Sequence, residues 1–234
     1  MTKRPVCSLL PLLALALLLS GCGDDEKTAA SHPWAGKTFL LEIPQERWSD
    51  PPQIGEEIGR FVPQFLISVE GGSGDTLNMA VGTANGGVQQ MCNPTTEIEV
   101  DGSGYPEVQI GPSEFPIYLR NEEEDITVNA TVHDFTLTNV LPEGDVPTDD
   151  GDLSAVMDVR ELYPMFYQII APSPDSVCTA MAGTADCEPC PQDGEIYCLT
   201  IQAMYIGASE LADFTLEPIQ AGSVDDPACA DTET

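Results

Sequence analysis

Cys178, Cys187, Cys190 and Cys198 form the densest group of chemically versatile side chains in the chain, separated by eight, two and seven residues. Clustered thiols can hold zinc, exchange disulfides through a CxxC pair, or close into structural bridges. Zinc is disfavoured because Cys187-Glu188-Pro189-Cys190 has no second CxxC unit to complete a four-sulfur set. A redox role is disfavoured because no βαβ pattern surrounds the pair, as a thioredoxin-like site would require. Structural bridging is therefore the expectation, in one of three connectivities if the four bond among themselves.

Other raw material for catalysis is thin. His32 and His133 are the chain's two histidines; His32 falls in a polar N-terminal stretch and His133 at an expected bend in a strand, so neither is assigned as a base. Ser73 and Ser103 sit among glycines, but neither setting matches the GxSxG nucleophile elbow. Both settings, 71–74 and 101–104, predict hairpin turns instead. No phosphate-cradling or dinucleotide motif is present. Acids cluster twice, as Glu122 to Asp125 and as Asp145, Asp149, Asp150 and Asp152. Either run could contribute ligands to calcium, which takes six to eight oxygens, and the second is taken as the candidate, although neither has EF-hand spacing. An envelope hydrolase using paired carboxylates is the enzymatic alternative. The expectation is no enzyme and no cofactor.

The N-terminus carries a secretory leader: Lys3 and Arg4, an apolar run from Val6 to Leu19, then Ser20 and Gly21. That run is too short to span a bilayer comfortably. Its end, Leu19-Ser20-Gly21-Cys22, resembles the lipobox of bacterial lipoproteins. The resemblance implies cleavage before Cys22, acylation of its sulfur with chains such as palmitate, and a lipid anchor in the inner or outer membrane. The domain would then lie in the periplasm or at the cell surface. Cys7 would leave with the leader, so Cys92, Cys178, Cys187, Cys190, Cys198 and Cys229 remain, an even number in an oxidising compartment. Three disulfides are expected, with the cluster pairing internally and Cys92 joined to Cys229.

Composition limits the partners. Asp and Glu number 39 against 8 Lys and Arg, for a formal net charge of −31. Such a field repels nucleic acid and anionic membrane surfaces, so contact with a membrane is expected through the lipid alone. A solvated acidic surface is the simplest account of the charge, with a cation or basic partner as alternatives.

The segments that would position these groups divide into a leader over 1–21, a flexible tether over 22–35, one domain over 36–220 and an acidic tail over 221–234. Gly, Pro, Asn and Asp clusters separate short runs of β-branched and aromatic residues, which predicts an antiparallel β-sandwich or barrel-like domain with a disulfide-rich C-terminal segment. Strands are expected at 38–43, 65–70, 76–83, 96–100, 107–110, 116–119, 126–140, 153–159, 196–206 and 212–218. Ile126, Val128, Ala130 and Val132 share a face, whereas Phe135 and Leu137 continue it out of phase, which predicts a bulge near His133. One helix is expected within 159–170, starting near Tyr163 because of Pro164. Another should start at Ser173-Pro174-Asp175, a capping serine followed by a first-turn proline, and stop at Gly183.

Short runs at Trp34 to Phe39, Val62 to Phe65, Cys92 to Thr95, Leu137 to Pro142, Glu161 to Pro164, Cys187 to Pro191 and Tyr197 to Leu199 resemble uncharacterised lipoproteins of the myxobacterial type. The resemblance implies an exported lipoprotein and no catalytic residues. The resulting expectation is a membrane-anchored, non-enzymatic envelope module that binds an unknown ligand or envelope protein or serves structurally.

Overall fold

The computed structural model describes residues 32–52, 59, 62–73, 75–121, 126–144, 146–166, 173–181 and 186–220. Twelve strands over these residues form two antiparallel six-stranded sheets. In the first, the order is β12 (Ala208–Leu211), β1 (Lys37–Leu41), β3 (Gln64–Ser73), β4 (Thr76–Asn85) and β5 (Val88–Gln89), with β6 (Thr96–Asp101) also on β4. In the second it is β10 (Glu188–Pro189), β11 (Ile196–Ile206), β9 (Gly151–Asp158), β8 (Ile126–Thr138) and β7 (Gln109–Asn121), with β2 (Trp48–Asp50) on β11. Among the described residues no helix is long and apolar enough to cross a membrane.

Alternation along the strands places one face of each sheet in a shared core. Phe65 of β3 meets Phe115 of β7 and Phe135 of β8, with ring centroids 5.3 to 5.8 Å apart. The expected phase change in β8 is present. Val132 pairs with Met157, the register shifts between His133 and Thr136, and Asp134 takes a left-handed φ of 50°. Val132, Phe135 and Leu137 are all buried as a result.

Several expected elements differ from those observed. Gln109 and Ile110 of the strand expected at 107–110 and the whole of the one expected at 116–119 belong to one edge strand, β7, whose register shifts around Ile110 to Phe115. Gly111 makes this continuity feasible: its φ is 97°, and a Cβ there would lie 2.2 Å from the Phe135 carbonyl oxygen. The 101–104 segment is a 3₁₀ turn rather than a hairpin, capped by the Asp101 side chain, and it carries the chain from the first sheet into the second. β2, β5, β10 and β12 are too short to show an alternating pattern.

The strand expected at 212–218 is absent. That segment lies across the outer face of the first sheet, where Leu216 and Phe214 pack with Leu66, Ala80 and Ala84 in a second, smaller core. Side chains, together with the Thr95 N–H that donates to the Ile219 carbonyl, satisfy its backbone in place of a ladder. Gln89 bonds the Glu217 N–H and C=O, and Thr95 bonds the Ile219 N–H. Alternating apolar residues thus form a cover with the periodicity of a strand.

The tether also ends sooner than expected. Residues 32–35 belong to the domain: Trp34 is 1% exposed, its indole N–H donates to the Pro142 carbonyl at 2.8 Å, and it packs edge-on against Tyr105.

Helix α1 (Val159–Phe166) begins four residues before the expected start at Tyr163. Asp158 accounts for the early start, because its Oδ1 accepts the Arg160 N–H at 2.8 Å as an N-cap. Pro164 sits inside the helix and forfeits one backbone bond, a loss offset by burial of Val159, Leu162 and Met165. Helix α2 (Pro174–Met181) starts as expected, with the Ser173 carbonyl accepting the Ser176 N–H. Gly183 lies outside the described residues.

Candidate functional site

Every described cysteine is oxidised. Cys178 on α2 bonds Cys187, and Cys190 bonds Cys198 at the head of β11. Of the three internal connectivities, this one follows from β10, which is extended and pairs with β11. Cys187 and Cys190 therefore reach different partners, which removes the dithiol pair a CxxC redox site needs. Cys92 is also disulfide-bonded; its expected partner Cys229 lies outside the described residues, as does the lipidation candidate Cys22.

Beside the second bridge lies a polar network that residue spacing did not indicate. Asp158, 3% exposed at the end of β9, stands opposite Cys198 in the ladder. Arg160 Nε lies 3.0 Å from both of its oxygens, Arg160 Nη2 donates to Oδ2 at 2.6 Å, and Gln192 Nε2 donates at 2.8 Å. Arg160 also reaches Asp193 at 2.7 Å and lies over the Tyr197 ring, 4.9 Å from its centroid. Tyr197 donates its hydroxyl to Asp175 at 2.9 Å.

Electrostatics follow from these partners. Bonds to Asp158 and Asp193 hold the Arg160 guanidinium protonated well beyond its ordinary range. The Glu195 N–H, and then Arg160, hold the Asp193 carboxyl below the usual carboxylate range. The bond to Asp175 raises the Tyr197 phenol. Asp158, Cys190 and Cys198 are the one set of three potential metal ligands that converges among the described residues. Two of these are bonded to each other, and the third is occupied by Arg160. The network has the chemistry of a clamp: Arg160 Nε and Nη2, Gln192 and Tyr197 all donate to carboxylates of the protein itself.

The sequence-derived candidates do not converge on a catalytic arrangement. His133 is buried, with Nδ1 3.2 Å from Glu114 Oε1 at the bulge. His32 packs on Trp34 and Tyr105, and burial pushes its pKa below 6.5, opposed by a contact with the Gly102 backbone. Asp149, Asp150 and Asp152 are exposed, and Asp145 and the 122–125 run lie outside the described residues.

The inner void between the sheets, lined by Trp48, Phe65, Phe135 and Met157 among others, measures only about 20 Å³. That is room for about one water, far below the several hundred Å³ of a ligand pocket. Larger clefts are on the surface: one of about 430 Å³ is lined by Glu70, Asn78, Glu97 and Glu99 on the first sheet, and two lie around the loop after β8. Of these two, one of about 350 Å³ runs between Pro142, Gly144 and Pro147 on one side and Ser209, Glu210 and Ala212 on the other. The other, of about 300 Å³, shares Pro147 and is lined by Glu107, Glu143, Asp149 and Asp150. No signal in the sequence pairs the loop with β12, because some sixty residues separate them along the chain.

No family model, curated protein or solved structure matches this chain.

Proposed function

We propose that the chain is an exported lipoprotein, held to a membrane by acyl groups on Cys22, whose β-sandwich is a non-enzymatic module contacting another envelope component. The carrying observation is the oxidised state of all the described cysteines, which suits a compartment outside the reducing cytoplasm. The filled core narrows the role. With about 20 Å³ between the sheets, the domain offers its surface to a partner rather than enclosing an apolar ligand.

The lipobox-like Leu19 to Cys22 supplies the address, and the resemblance to myxobacterial-type lipoproteins favours the same reading. Expression of the full chain in a bacterial host with a palmitate analogue provides the test. The expected result is label on Cys22, a mature mass beginning there, and loss of both label and membrane association in Cys22→Ala. A mature N-terminus elsewhere, with an unmodified sulfur at Cys22, would overturn the reading.

A further inference from the structure

Among the described residues β12 pairs with β1 and with no other strand, so its far side is a sheet edge. The hydrogen bonds identify which groups face outward. Ala208 donates its N–H at 2.8 Å to the Val140 carbonyl, away from β1. Backbone groups in an antiparallel strand alternate in direction with period two, so Glu210, two residues on, turns its N–H and C=O to the same outward side. Among the described residues neither group meets a backbone partner. Glu210 also lines the cleft of about 350 Å³ walled opposite by Pro142, Gly144 and Pro147. A donor and an acceptor with no backbone partner among the described residues thus lie on the outward side of β12, at a residue that lines this cleft.

Charge indicates what could lie there. The adjoining cleft, which shares Pro147, presents Glu107, Glu143, Asp149 and Asp150, all exposed. None of the four takes part in an ion pair among the described residues. Glu210 itself is neutralised by Lys37 at 2.6 Å. A strand entering beside β12 would therefore find hydrogen bonds at Glu210 and uncompensated carboxylates alongside.

We propose that this edge binds an extended, cationic segment of a partner protein by strand addition, with its backbone bonded to Glu210 and its basic side chains over Glu107, Glu143, Asp149 and Asp150. This deepens the reading of the domain as a binding module, but it does not depend on the anchor. Two separable forces contribute: main-chain bonds that require the edge, and Coulombic attraction that weakens with salt.

The test uses the full-length chain in detergent micelles and a short synthetic peptide of alternating lysine and valine, followed by calorimetry at low and high salt. Glu210→Pro removes the outward N–H without taking a hydrogen bond from β1, since proline is tolerated on the open side of an edge strand; it also removes the carboxylate that pairs with Lys37. Glu210→Gln keeps the N–H and removes the charge. The expected results are salt-sensitive binding, a loss of about tenfold in Glu210→Pro, and a change within about twofold in Glu210→Gln. A peptide N-methylated at alternate amides should fail to bind the unaltered protein. No binding at low salt, or equal binding of the methylated and unmethylated peptides, overturns the proposal even if the proline variant misfolds. The labelling of Cys22 is read from a separate experiment, so either result can fail without the other.

Discussion

Arg160 holds the Asp158 carboxylate through both Nε and Nη2, while its backbone N–H bonds the same carboxylate as the first cap of α1. One buried acid thereby ends strand β9, starts helix α1 and, through Gln192, fixes the loop closed by Cys190 and Cys198. The placement has a physical reason. A carboxylate at this depth is tolerable only when its lone pairs are filled by donors and its charge is matched.

Asp158→Asn should lower the melting temperature by roughly 5 °C, because an amide keeps the shape but turns a donor toward Arg160 or Gln192. Differential scanning calorimetry checks this. An unchanged melt would mean that the network contributes nothing net.

The two bridges can be separated. Each closes a short loop, over sequence separations of 9 and 8 residues. Chain entropy for loops of this size gives about 2.5 kcal/mol per bridge. Cys190→Ala with Cys198→Ala should cost more than Cys178→Ala with Cys187→Ala, since Cys190 and Cys198 are both buried and their loss also leaves a void. Urea unfolding of the paired variants gives the comparison.

Stability should depend on pH through His32. Its folded pKa lies below 6.5, so the folded state disfavours the charged ring. For a base depressed in this way, the unfolded chain binds more protons between the two values. Stability is full above pH 6.5 and declines as pH falls from there to the folded value, below which the loss is complete. Trp34, 5.1 Å from the His32 ring, reports the change by fluorescence. His32→Phe should flatten this part of the pH profile, and a profile unaltered by the substitution would refute the assignment.

Trp34→Ala should destabilise the domain by about 3 to 5 kcal/mol, the usual range for truncating a buried aromatic. A chain starting at Gly36 should be similarly weakened, whereas one starting at Ser31 should retain full stability. Equal melting of the two truncations would restore the tether to its expected end at residue 35.

Local pattern alone was sufficient for much of the fold. The antiparallel β character, the bulge between His133 and Thr136, the proline-led start of α2 and the internal pairing of the cysteine cluster all follow from short-range signals: period-two alternation, a change of phase, turn residues and sulfur spacing. Tertiary structure decided what depends on distant neighbours. The 212–218 segment alternates like a strand, yet it became a cover because the outer face of the first sheet needed burial. Pro164 read as a helix start, but the Asp158 cap and the core contacts of Leu162 and Met165 outweighed it. Trp34 read as part of a tether until Pro142 and Tyr105 enclosed it. Asp158 and Arg160 are only two residues apart, but tertiary structure decided that Gln192, Asp193 and Tyr197 join them and that the edge at Glu210 stays open: strand order brings together residues that no local spacing connects, and burial then determines which of them must be paired and which are left facing solvent.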